Sequence, residues 1–353
     1  MRRLAAIALA WLAAIAASAP GPSAAQGTAP ANIVTPAEHV RTPDQTFLTF
    51  PEWYLVHSPA EYASYLATAV QPSRFPLFAH VGQFWQSYAA VAKEIEKYPF
   101  NGGYHLMVMV IGVSTTVEYG LKGLYERTIG RLGEATKSAP QVPEEQFAAR
   151  YAQSYVDFIR VEPWYKYDFW SQLKALWSDV PVAGPNLLRR WERRVLLTNE
   201  LLVKEGYARL IKLGTQSIYD APKPTTAVIV SKPPAGDAGH AEFIALGSAA
   251  PSGPMLATIP RYEGFTTYAR WLSQQGIDFV EIAGNRDDVL VSELATADWS
   301  PPQGARLLFE QPILTRPGHK RVVFAVPVAG LGAELRRAGA TPGAVVVEHI
   351  YDY

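Results

Sequence analysis

The sequence predicts an α+β protein: a mainly helical N-terminal domain with an internal helical duplication, followed by a C-terminal ferredoxin-like α/β sandwich. Three observations predict it. A set of Glu, Lys, Tyr and Ile at helical spacing occurs twice, 82 positions apart. Apolar residues recur with a helical period, between Pro and Gly breakers, as far as about residue 221. Beyond Pro222-Lys-Pro224, short β-branched runs alternate with two amphipathic segments.

The chain opens with Arg2 and Arg3, an apolar run from Leu4 to Ala17, Pro20 and Pro22, and the small residues Ser23-Ala24-Ala25. A basic start, a short apolar stretch and a small-residue cleavage site make residues 1–25 a secretory signal peptide. An uncleaved inner-membrane anchor is the alternative. Its apolar run falls short of the roughly 20 residues that span a bilayer. Residues 26–46, rich in Pro, Ala and Thr, read as a flexible lead-in. The expected location is the bacterial periplasm or outside the cell, with inner-membrane association kept open. The chain carries 32 basic and 32 acidic residues and no cysteine. Zero net charge argues against a nucleic-acid partner. The missing thiols exclude disulfides, thiolate metal sites and cysteine nucleophiles.

The helical domain is expected over residues 47–221. Ser58-Pro59-Ala60-Glu61 has the form of a capping box with Pro at the first helical position, predicting a helix from there to about Ala69. Further helices are expected from Phe78 to Lys97, from Tyr104 to Leu132, from Pro143 to about Arg160, from Tyr165 to Trp177, and from Gly184-Pro185 to about Ile218. Leu106–Val113 is apolar on every side and marks a buried or membrane segment; too short to span and followed directly by Glu118 and Lys122, it reads as a central core helix. Arg189, Arg190, Arg193 and Arg194 read as a solvated face, with contact to acidic lipid as the alternative. Six Trp residues (Trp53, Trp85, Trp164, Trp170, Trp177, Trp191) suggest either a lined cavity or a rim at a membrane interface, beside an ordinary aromatic core.

The duplication is the pattern T-x-E-x-x-[LV]-K-x-x-Y-x-R-x-I, at Thr116–Ile129 and Thr198–Ile211. Its Glu, Lys, Tyr and Ile fall on one helix stripe. A functional reading sets Glu118, Lys122 and Tyr125 opposite Glu200, Lys204 and Tyr207 across a shared cleft. Glu118, Glu200, Tyr125 and Tyr207 are then the candidate catalytic residues, and Lys122 and Lys204 candidate ligand contacts. Facing carboxylates can hold a cation or have their pKa values driven apart for acid–base work. The structural alternative pairs each Glu with its own Lys one turn on.

Phe50-Pro51-Glu52-Trp53-Tyr54-Leu55-Val56-His57 gathers aromatics, a carboxylate and a histidine. Glu52, Trp53 and His57, with His80 and His105, complete the candidate ligand-binding set. No metal-binding spacing, nucleophile elbow, P-loop or dinucleotide fingerprint occurs, so no metal and no cofactor are expected.

Residues 222–353 are the ferredoxin-like domain. Strands are expected at Thr226–Val230, Met255–Ile259, Phe279–Ile282, Val289–Leu294, Arg306–Glu310, Arg321–Val326 and Ala344–Tyr351. Helices are expected at Gly264–Gln275 and Leu331–Ala338, with a hairpin turn at Asn285–Asp288. This order is a split β-α-β arrangement with extra strands in front. The functional expectation is an exported accessory protein that binds an apolar or amphipathic ligand, such as a lipid, or docks at a membrane surface. Homo-oligomerisation would run through the C-terminal domain. A cofactor-independent hydrolase, lyase or isomerase using the paired Glu, Lys and Tyr is the alternative, and an inner-membrane-anchored structural protein is the second.

Overall fold

A computed structural model describes residues 33–68, 71–215, 224–236, 239–301, 305–341 and 343–352. The signal peptide and the first part of the lead-in lie outside the described residues. The chain is α+β, with a helical N-terminal region and an antiparallel-sheet C-terminal region. It divides into two compact units, and the division is not at a single point. Residues 53–85 and 106–215 form the helical unit. Residues 33–52 and 86–105 belong with 224–352 in the sheet unit.

The helices are α1 (Gln45–Thr68), α2 (Leu77–Glu94), α3 (Gly102–Tyr125), α4 (Arg131–Ala135), α5 (Pro143–Ile159), α6 (Phe169–Ser178) and α7 (Leu187–Thr215). No helix starts at Ser58, because α1 runs through it. The Ser58 hydroxyl is not a cap there: it lies 3.0 Å from His80 Nδ1 and donates to the Tyr119 hydroxyl, also at 3.0 Å.

The helical unit is a threefold-element repeat, and the contacts show it further than the sequence does. Trp85 Nε1 on α2 donates to Thr116 Oγ1 on α3 at 2.9 Å. Trp177 Nε1 on α6 donates to Thr198 Oγ1 on α7 at 3.1 Å. Lys122 on α3 sits over the Tyr62 ring of α1 at 4.4 Å, and Lys204 on α7 lies 5.1 Å from the Tyr155 ring of α5. So α1, α2 and α3 correspond to α5, α6 and α7.

The polarity of α3 and α7 is the reverse of a surface helix. Arg189, Arg190, Arg193 and Arg194 are not a solvated face; all four are buried. Arg189 meets Glu145 at 2.7 Å and Glu192 at 2.7 Å, Arg193 meets Glu126 at 2.7 Å, and Arg194 meets Glu144 at 2.7 Å. Lys137 adds a bond to Glu145 at 3.0 Å, and Glu134 lies 3.3 Å from Arg189. The cations are thereby matched by carboxylates, which is what makes their burial tolerable. Where α3 ends, the backbone widens into a π turn over Glu126–Gly130, and Arg189 donates to the Gly130 carbonyl at 2.9 Å. Gly133 lets the next turn approach, since a Cβ there would stand 2.8 Å from Glu192 Oε2.

Many outer positions of the same helices are apolar, with Glu118, Asn199 and Arg209 as exposed polar exceptions. Leu106–Val113 is not a core segment: Val108 is buried, but Met109, Val110 and Val113 are exposed. An all-apolar run has no polar face to turn to water, so its sequence cannot say which side packs.

In the sheet unit the strands are β1 (Thr225–Val230), β2 (Ile244–Ser248), β3 (Met255–Pro260), β4 (Phe279–Ile282), β5 (Asp288–Thr296), β6 (Arg306–Pro312), β7 (His319–Pro327) and β8 (Val345–Tyr351), with α8 (Glu263–Gln274) and α9 (Leu331–Gly339). They form two antiparallel sheets of the same order, β2-β3-β1-β4 and β6-β7-β5-β8. Because β3 and β4 both run antiparallel to β1, they are parallel to each other, and α8 is the crossover of a split β-α-β. The segment β7-α9-β8 repeats this around β5. The split unit thus occurs twice, once in each sheet, rather than within one ferredoxin-like sheet. Asn285–Asp288 turns as expected, with Asn285 Oδ1 accepting from the Asp287 amide at 2.9 Å, but it passes the chain from one sheet to the other. β2, an exposed edge strand, has no counterpart in the sequence reading. A continuous core from both sheets, including Val228, Ile259, Val291 and Phe324, packs against Phe265 and Leu272 of α8 and Leu335 of α9.

Candidate functional site

The duplicated stripe does meet across the helical unit, and it meets crosswise. Lys122 Nζ donates to Glu200 Oε2 at 2.9 Å, and Lys204 Nζ lies 3.1 Å from Glu118 Oε1. Lys204 also reaches Glu200 Oε1, one turn earlier on its own helix, at 3.2 Å. One Glu–Lys pair is thus local, and two join the halves. The quartet borders a cavity of about 80 Å³ between α1, α3, α5 and α7. Tyr62, Tyr119, Tyr151 and Tyr155 line it, with Leu55, Leu66, Leu77 and Leu197 as apolar wall.

The two carboxylates are unequal. Burial pushes the Glu200 carboxyl up, but Lys122 and Lys204 together outweigh it and hold it down to about 2. Glu118 stands at the solvent edge with its side chain 44% exposed. Burial works against both ammonium groups, yet the carboxylates overcome it: Lys122, facing Glu200, and Lys204, facing Glu118, are held above the usual lysine range. Burial raises the Tyr119, Tyr151 and Tyr155 hydroxyls, so these stay protonated. The Tyr151 hydroxyl is buried with no hydrogen-bond partner.

The other candidates are placed elsewhere. Tyr125 donates to Glu192 Oε1 at 2.7 Å, and Tyr207 packs on the Trp164 ring at 5.2 Å, so the stripe's tyrosines do not face each other. His80 is fully buried, stacked on Phe75 at 4.7 Å, with Nε2 3.7 Å from Glu61. His57 and Trp53 are buried neighbours, with ring centres 6.1 Å apart. Glu52 and His105 belong to the sheet unit. There Tyr104 donates to Glu52 Oε2 at 2.7 Å, burial raises the Glu52 carboxyl, and His105 Nδ1 lies 2.9 Å from the Tyr88 hydroxyl. These histidines do not converge. Among the described residues no group of three or more His, Asp or Glu could hold a metal ion.

A second feature of the helical unit was not anticipated residue by residue. On α3, Val113, Val117, Leu121 and Leu124 are 53–66% exposed; on α7, Leu188, Val195 and Val203 are 51–70% exposed. Val113 and Leu121 correspond to Val195 and Val203 through the same 82-residue repeat, so the exposed rows are duplicated too. The rings of Trp177 and Trp191, both more than a third exposed, pack at 6.1 Å beside the α7 row. The signal for these rows in the sequence is the same 82-residue offset carried by apolar rather than charged positions.

No protein family, characterised protein or solved structure matches this chain.

Proposed function

We propose that the protein is exported and acts as an accessory protein at a membrane surface, laying the apolar rows of α3 and α7 on lipid. The observation that carries this reading is the inverted polarity of α7. Its four arginines are buried while Leu187, Leu188, Trp191 and Val195, interleaved with them, are exposed. Rows of exposed apolar side chains on two helices, interrupted on α7 by the neutral Asn199, mark a docking face. Two features favour lipid. Tryptophan is suited to the membrane–water boundary, where Trp177 and Trp191 would sit. Along α3 from Leu106 to Leu124 the only exposed charge is Glu118, tied to Lys204, while Arg127 and Arg131 beyond the end of the row are exposed and suit anionic headgroups. No helix among the described residues is long and apolar enough to cross a membrane, which fits a surface-bound arrangement. The signal peptide read in the sequence would place this surface in the periplasm.

Flotation with phosphatidylcholine–phosphatidylglycerol vesicles tests this. The wild type is expected to float with the vesicles, and the double variant Leu121→Glu/Val203→Glu to stay behind with an unchanged circular dichroism spectrum. A wild type left in the soluble fraction, or a variant that floats equally well, refutes the reading.

A further inference from the structure

The cavity behind the quartet is lined by buried donors whose hydrogen bonds are not all used. Lys122 Nζ carries three N–H groups. It has one carboxylate oxygen within hydrogen-bond distance, Glu200 Oε2, and otherwise faces the Tyr62 ring. Lys204 is bonded to Glu118 and Glu200. Tyr151, 5% exposed, lines the same cavity and its hydroxyl has no acceptor. A buried donor left without an acceptor costs free energy that a bound acceptor would recover. The charges point the same way. Lys122, Lys204 and Glu200 are all more than four-fifths buried, whereas Glu118 stands half in solvent. The enclosed part therefore holds two cations and one carboxylate, with the second carboxylate, Glu118, at its solvent edge against Lys204.

We propose that this cavity binds a small monocarboxylate with a short aliphatic tail, its carboxylate accepting from Lys122 and the Tyr151 hydroxyl and its tail lying against Leu66, Leu77 and Leu197. A single negative charge adds less repulsion against Glu200 than a dianion would, and the apolar wall disfavours a fully hydrated anion such as phosphate. The cavity's size sets the limit on tail length. This site is independent of the lipid-facing rows and is tested without vesicles.

The probe is butyrate, followed by isothermal titration calorimetry, with butyramide and inorganic phosphate as comparisons. Butyrate is expected to bind, with butyramide and phosphate much weaker. Tyr151→Phe removes only a hydroxyl that has no partner in the unliganded protein. It is expected to leave the melting temperature unchanged or slightly raised, and to weaken butyrate about tenfold. Absence of butyrate binding, equal binding of butyramide or phosphate, or unchanged butyrate affinity in Tyr151→Phe would each overturn the proposal.

Discussion

The arginine cluster of the helical unit and the Glu293 and Asp352 sites of the sheet unit treat buried carboxylates differently, although the sheet unit also holds matched pairs such as Arg321–Glu348. In the helical unit every buried carboxylate of the arginine cluster meets a cation, and Glu200 meets two. In the sheet unit Glu293 and Glu334 share one cation, Arg337, with Glu293 Oε2 3.3 Å from its guanidinium. Burial, then the neighbouring Glu334 carboxylate, pushes Glu293 up to about 8 against the pull of Arg337. Asp352, also buried, is pushed up to about 6 despite Arg261 and the Thr226 hydroxyl. Net charge is zero for the chain, but local balance is what decides the energetics.

The largest effect that would break this comparison is loss of one cation from the helical cluster. Arg194 holds Glu144 and the carbonyls of Leu176 and Val180. Arg194→Met is expected to lower the unfolding free energy by about 3–5 kcal/mol in urea titration, because it leaves Glu144 with Arg190 alone, at 3.2 Å, and strips the buried Leu176 and Val180 carbonyls of a charged donor. A change under about 1 kcal/mol would mean that the cluster is not dry.

The pH response sharpens the contrast. Glu293 and Asp352 hold protons in the folded state that the unfolded chain gives up near pH 4. Their contribution to stability is present at acid pH and is lost as pH rises, between about 4 and 6 for Asp352 and about 4.5 and 8 for Glu293. Glu200 has the opposite sign: its stabilisation is complete above the unfolded value and is lost as pH falls toward 2. Thermal melts of Glu293→Gln are expected to be flatter across pH 5–8 than those of the wild type. Parallel curves would remove Glu293 as the cause.

Within the quartet, the repeat predicts equal roles and the burial predicts unequal ones. Glu200→Gln is expected to destabilise by about 3 kcal/mol, as the breaking of a buried pair does. Glu118→Gln should cost less than about 1 kcal/mol, as for a half-exposed pair. Equal losses in denaturant titrations would say that Glu118 is as enclosed as its counterpart.

Local signals made much of the fold readable. Pro143 and the Gly184-Pro185 break set helix limits, and β-branched runs located seven strands to within two or three residues. The stripe's charged residues were readable because they sit on two helices at one offset. The repeat of α1 and α2 in α5 and α6 was hidden, since Trp85 and Trp177 are 92 positions apart and little else matches around them. Burial of the arginines was hidden for another reason: Glu126 and Glu144 lie tens of residues from their partners, and no local pattern encodes such pairing. A turn like Asn285–Asp288 specifies a reversal but not which sheet receives the next strand. The Tyr151 hydroxyl could not be singled out at all, because its interest lies in a partner that is missing.

The central claim is that the outer rows of α3 and α7 meet lipid. The chain has no cysteine, so one can be placed at will. Val203→Cys, carrying an environment-sensitive dye, is the direct test, with Ser252→Cys, on an exposed turn of the sheet unit, as reference. On adding anionic vesicles, the dye at 203 is expected to shift to the blue and become quenchable by brominated lipid, while the dye at 252 stays as in water. A dye at 203 that remains water-like and unquenched under vesicle excess would contradict the account.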